Sequence, residues 1–210
     1  MRVRDVMTHN VVTVPSTMRI LEAERLLEFH KFERLPVVDK GKLAGLVTKD
    51  TLLRASPSPA TSLSRGELHY LLSKLTVKDI MKKNVITVTP DMTIERATEV
   101  AQENRIGCLV VTEGERVVGI LTTNDIFYRV VNPLFGIGQE GKRIVVHGAG
   151  EAPEILTVLE CVNKTGTKLK TFWHPTGIEE KNLILHMESS EAGPLISQLK
   201  KEGFSVEERN

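Results

Sequence analysis

The chain has 210 residues, of which 40% are hydrophobic and 26% are charged, a composition typical of a globular protein with one or two domains. Its 28 Lys and Arg nearly balance its 27 Asp and Glu, so a net charge of +1 provides no broad field to attract DNA, RNA or an anionic membrane. No apolar run approaches the roughly 20 residues of a membrane span, and Met1 leads directly into charged residues, so we expect a cytoplasmic protein without nucleic-acid or membrane partners. Cys108 and Cys161 lie far apart in apolar surroundings and are expected to be reduced core thiols.

The sequence repeats itself. The segment VRDVMTHNVVTVPSTMRILEA from Val3 recurs as VKDIMKKNVITVTPDMTIERA from Val77, an offset of 74 residues. The same offset carries Leu35 onto Leu109 and Gly45 onto Gly119. A register held over this length predicts two copies of one structural unit.

Each copy is predicted to be a small α/β unit of order β-α-β-β-α. A short strand, VVTV or VITV, is followed by a proline and by polar residues that favour a helix start, namely Ser16 or Thr17 in the first copy and Asp91 or Thr93 in the second. Helical spacing of apolar residues then predicts one helix per copy, and those residues are Ile20, Ala23 and Leu27, and Ile94, Ala97 and Ala101. Two β-rich runs joined by a glycine-containing turn follow, and a short helix, KDTLLRA or NDIFYRVV, ends the copy.

Two linkers separate the predicted folded parts. Residues 56–76 begin with the turn-forming sequence SPSP and continue into a connecting helix from about Glu67 to Leu75. Residues 136–142 contain GIGQEG, which has the spacing of a dinucleotide-binding fingerprint. Such a fingerprint must follow a strand and open a helix, whereas this one follows a helical pattern and precedes a strand. We therefore interpret it as a glycine-rich linker.

The remaining residues, 143–210, show the order β-α-β-β-α-β. The strands are predicted in KRIVVHGAG, TKLKTFWHP, KNLILHME and FSVEER, and the helices in APEILTVLECVNKTG and GPLISQLKKEG. This is a ferredoxin-like pattern. The predicted fold class is therefore α/β (α+β), with a tandem repeat followed by a ferredoxin-like domain.

The repeats resemble tandem CBS domains. The resemblance lies in DVMT and DIMK with the strand that follows, in RLPVVD, and in GLVT and GILTTND, and it covers about residues 1 to 135. Proteins of this family act as regulatory modules that bind adenosine nucleotides in clefts between paired repeats. The linker and the last segment resemble AcuB-type acetoin-utilisation proteins, in which an ACT-type domain follows the CBS pair. The implied domains are 1–55 and 77–135 for the two CBS repeats, 56–76 and 136–142 for the linkers, and 143–210 for the ACT-like domain.

ACT domains bind small effectors, often amino acids, near the first strand-helix turn, in a sequence like D-x-P-G. This chain has GEAPEIL, in which Pro153 matches and Glu154 replaces the glycine. A side chain there obstructs close approach of a ligand to the backbone. We therefore expect oligomerisation rather than binding of the usual amino acid, with a homodimer formed through the CBS and ACT-like domains.

The strongest ligand-binding prediction lies in GILTTNDIFYR. A strand ends at Leu121 and Thr122 presents a hydroxyl where a helix begins, so free N–H groups and the helix dipole would favour a phosphate. Asp125 can accept hydrogen bonds from two vicinal hydroxyls, and it matches the acid with which the family contacts ribose. Thr123 and Asn124 lie on the same turn and complete this candidate site. The alternative is that Thr122 and Asp125 only cap the helix.

The first copy departs from this pattern. Thr48 matches Thr122, but Thr51 occupies the place of Asp125, and Asp50 falls one residue early, a rotation of about 100° on a helix. Thr48 and Asp50 are therefore the candidate nucleotide-binding residues of a first half-site, and because Asp50 does not hold the register position of Asp125 we predict unequal half-sites, with the cleft of Thr122 and Asp125 the stronger.

The family packs adenine against strand residues. In this chain the resemblance implicates six of them, which are Val12, Thr13, Pro36, Ile86, Thr87 and Val110. Ordinary core or surface positions on strands are the alternative for each.

The six histidines and two cysteines show no metal-site spacing, and no nucleophile or P-loop motif is present. We expect no catalysis, no metal and no cofactor, with an adenine nucleotide (AMP, ADP or ATP) as a regulatory ligand. The alternatives are a scaffold whose clefts stay empty and a module that binds S-adenosylmethionine. The sequence does not name the regulated partner.

Overall fold

The computed structural model describes residues 1–55, 65–175 and 181–209, which form two compact units, 1–126 and 127–210. The predicted Ser-Pro linker largely lies outside the described residues. Both units combine helices with β-sheets, so the predicted mixed α/β class is confirmed.

In the first repeat the helices and strands follow in the order α1 (Val3–Val6), α2 (Ile20–His30), β1 (Arg34–Asp39), β2 (Lys42–Thr48) and α3 (Lys49–Ala55). Strands β1 and β2 are antiparallel, with Leu35 opposite Val47. The predicted first strand is reduced to a single parallel bridge between Val14 and Val37. Helix α4 (Arg65–Lys74) then leads to the second repeat.

The second repeat has the same order: α5 (Val77–Ile80), β3 (Thr87–Val88), α6 (Ile94–Glu103), β4 (Cys108–Glu113), β5 (Arg116–Thr122) and α7 (Thr123–Ile126). Strand β3 is parallel to β4, and β4 is antiparallel to β5. Leu109 lies opposite Leu121, which is the pair of Leu35 and Val47 moved by 74 residues. The repeat in sequence is therefore a repeat in strand register.

The helix starts differ between the copies. Thr93 caps α6 by accepting a hydrogen bond from the Arg96 N–H (3.3 Å). Helix α2 begins after Arg19 without a side-chain cap, so the prediction that Ser16 or Thr17 caps it is wrong. Ser16 is buried instead, and its N–H donates to the Asp39 carboxylate at 2.9 Å. Hydrogen bonding from the Ser16 side chain, and then from this N–H, lowers the pKa of Asp39.

The repeats are joined by backbone hydrogen bonds at two equivalent places. Thr8 and Ile120 exchange hydrogen bonds of 2.9 and 3.1 Å, and Lys82 and Leu46 exchange two of 2.9 Å. Each bridge ties the segment that precedes the first strand of one repeat to the last strand of the other. Each bridge therefore places residues of the first repeat next to residues of the second.

The hydrophobic core of the first repeat lies between α2 and its two strands. Buried apolar residues from these elements contact each other, among them Val14, Ala23, Leu27, Leu35, Val37 and Val47. The apolar residues predicted at helical spacing in α2, Ile20, Ala23 and Leu27, therefore face the core.

The second unit contains a four-stranded sheet. After a π-helical turn (Phe127–Val131) come α8 (Asn132–Phe135), β6 (Lys142–His147), α9 (Ala152–Thr165), β7 (Leu169–Trp173), β8 (Leu183–Met187), α10 (Ser189–Lys201) and β9 (Ser205–Arg209). The strand order is β7-β8-β6-β9, and every neighbouring pair is antiparallel. The order β-α-β-β-α-β with this topology is the ferredoxin-like fold that the sequence predicts.

The glycine-rich segment covers a buried histidine of this sheet. Gly136, Gly138 and Gly141 have φ values of 62°, 78° and 133°. A Cβ on Gly136 would lie 2.5 Å from Nδ1 of His186, and one on Gly141 would lie 2.8 Å from Nε2 of the same ring. Glycine is therefore required here by backbone conformation and by close packing, which accounts for the spacing without a dinucleotide.

Candidate functional site

A cleft of about 240 Å³, here called cleft 1, opens between the two repeats of the first unit. Both repeats line it, the first with Thr8, Asn10, Val11, Val12, Lys31, Phe32, Glu33 and Arg34, and the second with Ile120, Thr122, Asn124 and Asp125. Thr8 and Ile120, which form one of the bridges between the repeats, both belong to this lining.

A second cleft of about 360 Å³, cleft 2, is lined by Arg34, Leu46, Thr48 and Asp50 from the first repeat and by Lys82, Asn84, Val85, Ile86, Arg105, Ile106, Gly107 and Cys108 from the second. Apart from Arg34, each of these residues is the counterpart, at the 74-residue offset, of a residue that lines cleft 1. The internal repeat thus produces two equivalent clefts, each built from both copies.

Thr122 and Asp125 lie together in cleft 1. The Asp125 carboxylate accepts hydrogen bonds from the Thr122 N–H (2.9 Å), the Thr122 hydroxyl (2.6 Å) and the Thr8 hydroxyl (2.9 Å). The Asp125 side chain is only 9% exposed. The acid therefore caps the helix and also joins the two repeats at the cleft.

The sequence predicts free N–H groups at this helix start, and that prediction is wrong for three of them. The Thr122 N–H is bound to Asp125, the Thr123 N–H to the Gly107 carbonyl (3.2 Å), and the Asp125 N–H to the Thr122 hydroxyl (3.3 Å). The physical reason is that the helix start is already capped by Asp125, by the Thr122 hydroxyl and by the Gly107 carbonyl, all from the second repeat itself. An anion in cleft 1 would instead meet the side chains of Lys31 and Arg34.

The helix start in cleft 2 is capped by threonine alone. The Thr48 N–H donates to the Thr51 hydroxyl (2.9 Å), and the Thr51 N–H donates to the Thr48 hydroxyl (3.1 Å). Asp50 lines cleft 2 together with Thr48, and its carboxylate forms an ion pair with Arg54 (2.8 Å). Its counterpart in register is Asn124, which also lines its own cleft.

The base-binding candidates divide into two groups. Val12 lines cleft 1 and Ile86, its counterpart, lines cleft 2. The other four lie outside the lining of both clefts: Pro36 and Val110 are buried in strands, and Thr13 and Thr87 are exposed. Of the two further candidates at the helix start, Asn124 lines cleft 1, whereas Thr123 does not line it and its exposed side chain donates its hydroxyl to the Gly107 carbonyl (3.3 Å).

Sequence reasoning missed the segment that joins α2 to β1. Lys31, Phe32, Glu33 and Arg34 all line cleft 1, and Lys31 has a φ of 54° that turns the chain out of the helix. Arg105 has the corresponding position in the second repeat and a φ of 52°, so the turn is part of the repeat. Neither Lys nor Arg marks a left-handed position in the sequence, and for that reason no sequence signal indicated this segment.

Cys108 lies in the wall of cleft 2. Burial raises the pKa of its thiol to about 11, with the charge of Arg34 acting in the opposite direction and that of Asp125 adding to the rise. A thiol with such a pKa is protonated at neutral pH and is a poor nucleophile.

Within residues 1–55, 65–175 and 181–209, no three His, Cys, Asp or Glu side chains come together as a metal site. No helix in the same ranges has both the length and the apolar character needed to cross a membrane.

The CBS domain family model matches residues 3–58 and 77–132, which together are more than half of the chain. An inosine-5′-monophosphate dehydrogenase from Korarchaeum cryptofilum is 32% identical over 153 residues, 72% of this chain. The chain covers 29% of that enzyme, so it spans less than a third of this relative's length.

Three solved structures resemble the chain over its first part. AcuB from Vibrio cholerae, assigned to acetoin utilization, has a TM-score of 0.53 and 28% identity over 63% of this chain and 91% of its own. A CBS domain pair in complex with 5′-methylthioadenosine and S-adenosyl-L-methionine has a TM-score of 0.51 and 29% identity, covering 65% and 96%. CBSX2 in complex with AMP has a TM-score of 0.51 and 26% identity, covering 62% and 96%.

Proposed function

The chain belongs to the CBS domain family, and from that premise we propose that it is a non-catalytic regulatory protein whose CBS pair binds an adenine nucleotide. The observation that carries the proposal is the position of Thr122 and Asp125 in one cleft with the cations Lys31 and Arg34. A hydroxyl, a carboxylate and two basic side chains are the groups that a phosphorylated sugar requires.

The Asp125 carboxylate is suited to ribose. A carboxylate has about four acceptor positions, so it can serve hydroxyl donors from a ligand together with groups of the protein. The Thr8 hydroxyl can also rotate, donating to Asp125 and accepting from a ligand at the same time. A ribose seated there would contact Thr8 from one repeat and Asp125 from the other.

The lining of cleft 1 offers groups for both a phosphate and a base. Lys31 and Arg34 provide positive charge for a phosphate, and Phe32, Val11, Val12 and Ile120 provide apolar surface for a base. Hydrogen bonds to charged groups contribute about 1.5–3 kcal/mol each, so two or three of them with base packing reach the roughly 8 kcal/mol of a micromolar complex.

Ligand binding across two repeats has a regulatory consequence. A ligand that contacts both copies stabilises one arrangement of the repeats over others, and a partner that reads this arrangement responds to the ligand. AMP in CBSX2 and the two adenosine compounds in the other similar pair support an adenosine ligand for this chain. For the ferredoxin-like unit we propose an ACT-like role in homodimer formation, with the regulated enzyme a separate partner.

A second function, a scaffold whose clefts stay empty, is favoured by one observation. Thr8, Thr122 and Asp125 satisfy each other by hydrogen bonds without a ligand. A helix cap and an inter-repeat contact would alone explain these three residues.

Binding to the full chain separates the two functions. We expect AMP, ADP or ATP to raise the melting temperature, because a ligand at about 100 times its Kd stabilises the folded state by roughly 2.7 kcal/mol. S-adenosylmethionine tests the alternative ligand in the same assay, and titration calorimetry measures the Kd. Absence of a thermal shift and of binding heat with all four compounds would refute the proposal and leave the scaffold.

A further inference from the structure

The two clefts are equivalent in backbone but differ in charge. At the 74-residue offset, the neutral Thr8 of cleft 1 corresponds to the cation Lys82 in cleft 2. In the other direction, the acid Glu33 corresponds to Gly107, and the acid Asp125 corresponds to Thr51. Asp50 of cleft 2 corresponds to the neutral Asn124, so relative to cleft 1 the lining of cleft 2 has one more cation and one acid fewer.

The only acid that lines cleft 2 among the described residues is Asp50, and its carboxylate is paired with Arg54. The cations of that cleft are Arg34, Lys82 and Arg105. In cleft 1 the cations Lys31 and Arg34 are balanced by Glu33 and Asp125. The lining of cleft 2 thus carries excess positive charge, and that of cleft 1 is neutral.

Cleft 1 has an aromatic ring that cleft 2 lacks. Phe32 lines cleft 1, and its counterpart in cleft 2 is Ile106. The Phe32 ring stacks on His30 with centroids 5.0 Å apart and planes at 11°, so its orientation is held from one side. Phe32 is 38% exposed, which leaves surface for a second flat ring.

We propose that the two clefts read different parts of an adenosine ligand. Cleft 1 recognises the nucleoside through base stacking on Phe32 and ribose binding by Asp125. Its two cations are balanced by Glu33 and Asp125, so its affinity depends little on phosphates beyond the first. Cleft 2 selects di- and triphosphates through Lys82, Arg105 and Arg34. The division rests on the proposed function, because it assumes that the clefts take adenosine compounds.

The expected contributions of charge and of base stacking to affinity favour different roles for the two clefts. Lys82 and Arg105 are exposed, so each of their charges changes the affinity for a polyphosphate by about five- to tenfold at low salt, and by much less at high salt. Base stacking on an aromatic side chain changes affinity by about tenfold or more and is insensitive to salt. The affinities of the two clefts should therefore be distinguishable by their dependence on ionic strength as well as by mutation.

The experiment is a calorimetric titration of the full chain with adenosine, AMP and ATP at low and high salt. The variants are the double substitution Lys82→Met with Arg105→Met in cleft 2, and Phe32→Ile in cleft 1, which introduces the residue that the second repeat carries. Lys31→Met is the matched control, because Lys31 and Arg105 are counterparts with the same left-handed backbone. Circular dichroism and melting temperature verify folding of each variant.

We expect ATP to bind one site more tightly than AMP or adenosine, and the double variant to weaken that site by about 25-fold or more at low salt. Lys31→Met should change the Kd of that ATP site by less than about twofold. Phe32→Ile should raise the Kd for adenosine by about tenfold while leaving the Kd of the tight ATP site unchanged.

Two results would overturn the inference while leaving the proposed function intact. One is equal affinity for adenosine and ATP at both sites. The other is a tight ATP site that depends on Lys31 rather than on Lys82 and Arg105. Failure of adenosine, AMP and ATP alike to bind the wild-type chain would instead refute the proposed function, and the inference with it.

Discussion

Replacement of Asp125 by threonine tests whether this acid binds a ligand or only caps a helix. The protein itself supplies the substitution, because Thr51 holds the same position in the first repeat and caps its helix with a hydroxyl. Asp125→Thr should therefore preserve the cap and remove the carboxylate. Asp125→Ala, by contrast, removes both.

The cost in stability follows from the three hydrogen bonds of Asp125. Asp125→Thr keeps the bond to the Thr122 N–H and loses the one from the half-buried Thr8 hydroxyl, which can turn to water, so we expect about 1–2 kcal/mol of destabilisation. Asp125→Ala also loses the cap, so its expected cost is about 2–3 kcal/mol. Urea unfolding of the full chain measures both.

The cost in binding is larger if ribose contacts the carboxylate. Loss of one or two hydrogen bonds to a charged acceptor corresponds to about a 10- to 100-fold weaker Kd for AMP in Asp125→Thr, measured by calorimetry. Thr51→Asp is the reciprocal variant and should strengthen nucleoside binding in cleft 2. Wild-type affinity in a folded Asp125→Thr variant would refute ribose binding and leave Asp125 as a cap.

Two further predictions concern the second unit. A Cβ at Gly141 would clash with the Met187 carbonyl oxygen, so Gly141→Ala should destabilise the unit by about 3 kcal/mol. Gly138 has open space around it, so Gly138→Ala should destabilise the unit by only about 1 kcal/mol, because of its positive φ. Equal losses of stability in urea unfolding of the two variants would contradict the packing argument. Burial, and then the charges of Arg143 and Lys170, lower the pKa of His186 in the folded protein below its ordinary value. The folded state therefore favours neutral His186, which contributes to stability above about pH 6.5, and this contribution is lost as the pH falls through the folded-state pKa. Calorimetric melting between about pH 7 and about pH 5 should show this loss in the wild type and a smaller one in His186→Asn, and equal pH dependence in both would exclude His186 as its source.

Much of the fold could be predicted because its signals are local. Helical spacing and glycine-containing turns indicated α2, α6 and the paired strands, and each pattern depends on residues close together in the chain. Helix starts were harder, because a cap depends on which backbone atoms a side chain reaches. Ser16 resembles a cap in sequence, but its N–H is bound to Asp39 and the helix begins at Ile20.

The candidate site was predicted in part. Thr122 and Asp125 were identified from a strand-to-helix turn, and they do lie in one cleft. The segment from Lys31 to Arg34 was missed, because it reaches the cleft from the other repeat by a left-handed turn that apolar periodicity does not reveal.

The sequence by itself determined the internal repeat, the order of helices and strands, and which positions of the two copies correspond at the offset of 74 residues. These follow from periodicity and turn chemistry, which act over a few residues. Only the tertiary structure decided that each cleft is shared by both repeats, that the Thr123 N–H is bound to Gly107, and that Arg34 lines both clefts. The sharing of the clefts depends on the bridges between Thr8 and Ile120 and between Leu46 and Lys82, which join parts of the chain that no local pattern connects.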